Sequence, residues 1–430
     1  MAGRPLSRRG LLGTGLGLAA LVTVGATGTR SSSARYAQDG LHSQTVAWSA
    51  PGERQLIGAA DQVVPGTRVM RGAAGQATLI ARESAWIAGC APWTATTRAR
   101  EALLDLTVLQ VGDVGVAGWS THWRYTWPRD ASHVAMALIR AGRRAEAVRM
   151  LARLQAWQGR DGWFEARYLP DGSGTPDERE RQLDGVGWVL WATAGLLQGP
   201  DALTQVRLLR PMIERSLGLA MAVTADGLPP VSPDYWEVGE TRRTLGTAAP
   251  LLAGLQAGAR LLAALGEPAG ARRARRAAVD LEARIHEVFG ARGYPRHEDG
   301  TLRDTGVAFL LPPYTEAAHP DVVAAVRAAR SEMVRPAGGL APGAGWREDG
   351  VSWTPETAVF ALVAAAQGAD AATERAYALD TLAWLGRHRT EAGSYPEKVL
   401  YDGRPAAVAP LAWTAATVLL AEHALATTPT

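Results

Sequence analysis

From Thr96 to the C-terminus, apolar residues recur every three or four positions, in segments dominated by Ala, Leu, Arg and Glu. That spacing is the signature of helices that bury one face. Twelve helices are predicted, near 96–110, 128–141, 143–157, 184–198, 201–222 and 242–264, then 267–289, 303–311, 320–334, 355–367, 369–388 and 411–427. The links between them alternate in length. After the second, fourth, sixth and tenth segments they are short: Ala141-Gly142-Arg143, Gly199-Pro200-Asp201, Gly266-Glu267-Pro268 and Gly368-Ala369. Before every even-numbered segment the link is long and rich in Gly, Pro, Trp and acids. Short links join antiparallel neighbours. The pattern therefore predicts six helical hairpins around an axis, an all-α (α/α)6 barrel over 91–430, with the long loops gathered at one end. The even segments are the more apolar, as in Val186-Gly187-Trp188-Val189-Leu190-Trp191, and so are expected to form the inner ring. A helical solenoid would show a constant repeat period, which the sequence lacks.

Upstream the pattern changes. Residues 31–90 read as a linker and a short β-rich appendage, with alternating stretches at Gln44-Thr45-Val46-Ala47-Trp48 and Ala77-Thr78-Leu79-Ile80. Residues 1–30 read as an export address. Ser7-Arg8-Arg9-Gly10-Leu11-Leu12 precedes an apolar, glycine-rich run to about Ala26. That run is too short for a good membrane span and has the layout of a signal peptide. The paired arginines resemble a twin-arginine signal, so the expected partner is that export machinery and the expected location is outside the cytoplasm. Cleavage after Ala26 and an uncleaved anchor both remain open.

Composition narrows the classes. With 430 residues, 47% of them hydrophobic and 20% charged, the chain has material for a large core. The net charge is only +3, Lys398 is the single lysine, and no basic stripe runs through the helical region. Nucleic-acid binding is therefore not expected. Cys90 is the only cysteine, so no intrachain disulfide forms. This suits a pathway that carries folded proteins. Trp is abundant, at 15 residues. Its faces can stack on sugar rings or simply fill a core.

The long loops hold the candidate chemistry. The first carries Tyr125-Thr126-Trp127-Pro128-Arg129-Asp130 where a helix begins, the second ends at Asp184, and the third contains Asp234-Tyr235-Trp236-Glu237-Val238. The fifth contains Trp346-Arg347-Glu348-Asp349, and the last Tyr395-Pro396-Glu397-Lys398. Asp130 and Asp184 also suit helix-capping acids. Arg129 and Asp130 together could hold sugar hydroxyls through charge-assisted hydrogen bonds. Glycosidic cleavage needs two carboxyl groups flanking the bond, one protonated and one ionised. Trp236 offers Glu237 an apolar wall that would favour the protonated form. Lys398 would favour an ionised Glu397.

These motifs, in this order, resemble the glucoamylase-like glycoside hydrolases, family 15, over about 121–430. Tyr125 to Asp130 is similar to the family's aromatic-Trp-x-Arg-Asp motif. Gln182 with Asp184-Gly185 resembles its Gln-x-Asp-Gly stretch. Asp234 to Glu237 resembles the motif of the general acid, and Pro396-Glu397 that of the general base. The resemblance implies an (α/α)6 barrel, inversion by direct water attack, and no metal or other cofactor. It also implies Glu237 as acid, Glu397 as base, and a glucose gripped by Arg129 and Asp130; Trp123, Trp127, Asp184, Trp236 and Arg347, on or beside the long loops, are the further expected substrate contacts. An oligosaccharide or other α-glucoside is the implied substrate, and a monomer is expected.

Three positions depart from the family pattern. Val238 stands where a second Glu is usual, Trp123 where a Tyr is usual, and Lys398 where Gln is common. The large N-terminal β-sandwich of many bacterial members is also absent. Short α-1,4 or α-1,6 glucosides and trehalose are therefore candidates beside starch, and a sugar-binding protein that has lost catalysis is the alternative. A lyase on the same barrel would need a Tyr or His base, such as His122, His133 or His297, each expected to be a surface or core histidine; a phosphorylase would release glucose 1-phosphate in the presence of phosphate.

Overall fold

In the computed structural model, residues 40–367 and 371–427 are described, all within one unit, Tyr36–Thr430. The proposed export signal lies outside them. The chain opens with a hairpin of β1 (Thr45–Ala50) and β2 (Glu53–Ile57), then α1 (Gln76–Ala88) and α2 (Thr97–Leu109). Two-residue strands β3 (Gln110–Val111) and β4 (Val114–Gly115) follow. Then come α3 (Pro128–Arg140), α4 (Arg144–Trp157), α5 (Asp184–Ala194), α6 (Ala202–Leu208) and α7 (Arg210–Val223). The chain continues through α8 (Leu245–Ala264), α9 (Pro268–Val288), a 3-10 turn at Thr305–Leu310 and α10 (Pro320–Met333). It ends with β5 (Ser352–Trp353), α11 (Thr354–Ala365), α12 (Ala371–Arg387), β6 (Lys398–Val399), β7 (Pro405–Ala406) and α13 (Ala412–Thr427).

The inner ring closes. α3 packs on α5, α5 on α8, α8 on the 305–310 turn, that turn on α11, α11 on α13, and α13 back on α3. The outer members α2, α4, α7, α9, α10 and α12 each pack behind this ring. Outer and inner members alternate along the chain, as the loop lengths predict. The reason is hydrophobic. α5 and α11 are buried at every position, and α3 at every position but its last. α9 buries only one stripe, so it can face water on its other side. The axis of the ring is plugged by aromatics. His133 packs against Trp188, Trp191 and Trp413 at ring separations of 4.9, 5.1 and 5.6 Å. Where α5 crosses α8 the backbones touch: a Cβ on Gly187 would lie 1.9 Å from the carbonyl oxygen of Pro250.

Three sequence expectations are corrected. Residues 77–80 are helix rather than strand, because Leu79, Glu83 and Ile87 recur at four-residue spacing on the buried face of α1. The helix expected over 201–222 breaks at Leu209, just before Pro211 in the first turn of α7. The segment near 303–311 is a 3-10 turn, too short for a full helix of the ring.

The N-terminal segment is tied to the last long loop. Ser43 donates to the carbonyl of Ala409 at 2.8 Å, and Thr45 pairs with Ser394 at 2.5 Å. Arg68, fully buried, donates to Asp105 of α2 at 2.7 and 2.9 Å and to Glu101 at 2.9 Å. Asp105 in turn accepts from the backbone N–H of Tyr395 at 2.8 Å and from Ser394 at 2.7 Å.

Candidate active site

A cavity of about 300 Å³ opens where five of the long loops meet above the aromatic plug. Glu237 and Glu397 both line it, as do Trp123, Trp127, Arg129, Asp130 and Trp236.

Pro128 opens α3, where its missing N–H costs nothing. Arg129 and Asp130 follow in the first turn, at the mouth of the ring. Arg129 is buried, and both its terminal nitrogens find acceptors. One terminal nitrogen donates to Asp184 at 2.8 Å and to Gln182 at 3.1 Å, and the other donates to Glu237 at 2.7 Å. Burial works against its charge, but Asp184, Glu237 and Asp130 outweigh burial and raise its pKa above the ordinary arginine value. Burial likewise pushes Asp130 up to about 6, opposed by Arg129 and reinforced by Glu237 and Asp184.

Two expected substrate contacts are not in the cavity. Asp184 sits behind Arg129, 1% exposed, and acts on the site only by orienting that guanidinium. Arg347 is exposed. Its neighbour Trp346 takes the cavity position, packed edge-on against Trp236 at 4.8 Å and Trp353 at 5.5 Å, and the next side chain turns to solvent.

Glu237 ends a tight turn. Its N–H donates to the carbonyl of Asp234 at 2.9 Å, and the N–H of Trp236 donates to the Asp234 carboxylate at 3.0 Å. The turn places Glu237 at φ 56°, a left-handed conformation costing about 1–3 kcal/mol for a non-glycine residue. Arg296 holds the turn from behind. It donates to Asp234 at 2.9 Å and to Asp304 at 2.7 Å, while the Tyr235 hydroxyl also donates to Asp304 at 2.7 Å.

The charge state of Glu237 reverses the expectation from Trp236. Burial does raise its pKa, but Arg129, Gln182 and Arg179 outweigh burial and hold it below the ordinary glutamate value. Arg179 reaches it from the second long loop, donating to the other carboxylate oxygen at 2.7 Å. Val238, the departure beside it, is 42% exposed and does not line the cavity.

Glu397 immediately precedes β6, the central strand of the small antiparallel sheet β5–β6–β7. Its N–H donates to Val408 at 2.8 Å and its carbonyl accepts from Thr354 at 3.0 Å. The side chain is therefore presented from a braced backbone. Lys398 lies with its Nζ 4.5 Å from the ring centre of Trp353.

The sequence reading missed one carboxyl. Glu356, in the first turn of α11 behind Pro355, lines the cavity and is 3% exposed. Its Oε2 is buried without a hydrogen-bond partner among the described residues. Burial pushes it up to about 8, the nearby Glu397 and Asp130 add to this, and Arg129 opposes it. Its surroundings thus favour the neutral form. An acid in the first turn of an otherwise apolar inner helix, as at Asp130, was the available signal. Also missed were Arg167, Arg179 and Trp413, which share the cavity wall with Trp346 and Trp353 of the fifth long loop. The indole N–H groups of Trp127, Trp236, Trp346, Trp353 and Trp413 are buried with no hydrogen-bond partner among the described residues. Buried donors without partners are unusual, and all five of these residues line the cavity.

Of the three histidines, His133 is in the plug, its pKa lowered by burial to about 3. His297 pairs with Glu240 at 3.1 Å. His122 is exposed but lines the cavity.

No protein-family model matches the chain, and no curated protein does. Solved structures do match. A wild-type glycosidase aligns at TM-score 0.64 and 21% identity, over 80% of this chain and 99% of that one. A bacterial glucoamylase complexed with acarbose aligns at TM-score 0.63 and 16% identity, over 80% of this chain and 57% of that one. The glucoamylase of Saccharomycopsis fibuligera aligns at TM-score 0.59 and 15% identity, over 74% and 90%. The fold is that of the glucoamylases. The six outer–inner pairs are thus a glucoamylase toroid, and the 300 Å³ cavity lies at its loop end.

Proposed function

We propose that this chain is an inverting, exo-acting α-glucoside hydrolase that releases glucose from non-reducing ends, with Glu237 as general acid and Glu397 as general base. One observation carries the reading: the two glutamates, from loops on different sides of the ring, open into a single tryptophan-walled cavity. The glucoamylase toroid supports it, as does a glycosidase variant of the same fold solved in complex with glucose. In this reading Arg129 and Asp130 grip the terminal sugar, and the tryptophans of the cavity wall pack against its ring. Glu397 takes a proton from water as that water attacks the anomeric carbon. Glu237 gives a proton to the departing oxygen. The aromatic plug supports exo action, because a cavity closed below by His133, Trp188 and Trp413 admits a chain end rather than a chain middle. A cavity of this size, small among ligand sites, favours short glucosides or trehalose over a polymer spanning several subsites.

Two arginines on Glu237 favour its ionised form, so the acid is available at acidic pH. The same observation supports a second reading, a sugar-binding homologue without hydrolysis. A panel of maltose, isomaltose, trehalose, dextran and starch, with NMR of the first product anomer, separates the two. Glucose released as the β-anomer, and lost in Glu397→Gln, supports the hydrolase. Calorimetric binding with no glucose released from any member favours the second. For location, the proposal is export through a twin-arginine signal, supported by Arg8-Arg9 and the apolar run after it. Secretion abolished by replacing both arginines with lysine is the expected result.

A further inference from the structure

The geometry points to a second site, in the outer layer of the barrel: Glu282, His286 and His319 form a three-ligand site for a divalent transition metal, zinc by preference, that ties α9 to the start of α10. Glu282 and His286 are four residues apart on α9 and share a face. His319 is the residue immediately before α10. The three half-buried side chains each bring a ligand atom within 4.8 Å of the others. His319 Nε2 already lies 3.4 Å from a Glu282 oxygen, and the two imidazole centres are 4.5 Å apart. Around a tetrahedral zinc, with bonds near 2.0–2.2 Å, ligand atoms stand roughly 3.4 Å apart. Small side-chain rotations therefore close the set.

Two features separate this cluster from a chance meeting of surface groups. First, His286 Nδ1 lies 2.6 Å from the Tyr294 hydroxyl. That contact leaves Nε2 as the nitrogen for a metal, with Nδ1–H donating to the tyrosine oxygen, the outer contact that metal-bound histidines make. Second, the cluster joins two separate elements, with Glu282 and His286 on α9 and His319 at the entry to α10. Asp321, in the first turn of α10, adds negative charge nearby. Two imidazoles and one carboxylate suit zinc. Calcium and magnesium take oxygen ligands instead. None of the three residues lines the cavity, so the site is independent of the proposed hydrolysis.

The test is isothermal titration of zinc chloride into the full chain after chelator dialysis, with cobalt(II) absorption as a second readout. Expected are one saturable equivalent per chain and the visible bands of tetrahedral cobalt. His286→Ala and His319→Ala should each remove both signals without changing the metal-free melting temperature by more than a few degrees. Tyr294→Phe should weaken zinc about tenfold or more through the lost outer contact. Absence of a saturable zinc signal overturns the proposal, and so does binding that survives unchanged in both histidine variants, since zinc would then sit elsewhere. If either alanine variant misfolds, His319→Gln, conservative at a partly exposed position, decides on the same two readouts.

Discussion

Replacing Glu356 with Gln should stabilise the protein, and by an amount that grows with pH. Burial pushes the Glu356 carboxyl up to about 8 in the folded chain, against an ordinary glutamate value of 4.5. Its shape is kept in Gln but its charge is not. Below pH 4.5 the carboxyl is neutral in both folded and unfolded states, and its contribution to stability is fully present. Between the two values the unfolded state releases the proton while the folded state keeps it, so stability falls as pH rises, and the loss is complete above about pH 8. At 1.36 kcal/mol per unit, the loss is near zero at pH 4, about 3 kcal/mol at pH 7 and about 5 kcal/mol at pH 9. These are ceilings, since the Gln amide must also find its place beside Glu397. With an unfolding entropy of about 2.1 cal/mol/K per residue, roughly 390 residues give about 0.8 kcal/mol/K, so 3 kcal/mol moves Tm by about 4 °C. The assay is thermal unfolding of both proteins by circular dichroism across pH 4–9. A Tm gap that opens from near zero with rising pH supports the account. A gap independent of pH, or a Gln variant that is less stable at pH 9 than the parent, refutes it.

Three further outcomes follow from the same geometry. Arg179→Met removes one of the two cations on Glu237, so the acid's pKa rises and the alkaline limb of kcat/KM moves to higher pH; an unmoved limb, with only KM changed, would make Arg179 a substrate contact instead. Gly187→Ala places a Cβ against the Pro250 carbonyl, forcing α5 from α8, and should cost at least about 1–3 kcal/mol in urea unfolding; a neutral result would mean the crossing is looser than described. Arg68→Met leaves Asp105 buried without its cation and should cost about 3–5 kcal/mol, with turnover falling too because Asp105 holds Tyr395 and Ser394; unchanged stability by chemical denaturation would discount the network.

The ring was legible because its signal is repeated. Each inner helix is apolar nearly all round, as α5 and α11 are, and each long link precedes an inner member. The 77–80 error arose where the signal is short: Ala-Thr-Leu-Ile reads alike as a buried strand or a helical turn until Glu83 and Ile87 are included. Site residues carried by motifs, Arg129, Asp130, Glu237 and Glu397, fall in one cavity. Those inferred from loop position alone were less secure. Arg347 lies outside the cavity lining because which of two adjacent loop side chains turns inward is settled by packing, here Trp346 on Trp236. Protonation was the least legible property. A tryptophan beside Glu237 argued for a raised pKa, but the cations that lower it come from residues 58 and 108 positions away.

The two proposed catalytic loops are anchored separately, and by similar means. Behind Glu237, Arg296 gathers Asp234, Asp304 and Glu240. Behind Glu397, Arg68 gathers Asp105 and Glu101, and Asp105 passes the hold to Tyr395. Buried ion clusters of this kind are poor sources of net stability, because desolvation offsets most of the attraction. Their geometric demand is what makes them useful here: each fixes a loop backbone through directed bonds, where apolar packing alone would tolerate small slips, and a catalytic carboxyl displaced by an ångström loses much of its effect. The second anchor also gives the N-terminal segment a role. Arg68 lies before the twelve-member ring begins, yet the loop carrying Glu397 rests on it, so the region between β1 and α1 belongs to the site as surely as the barrel does.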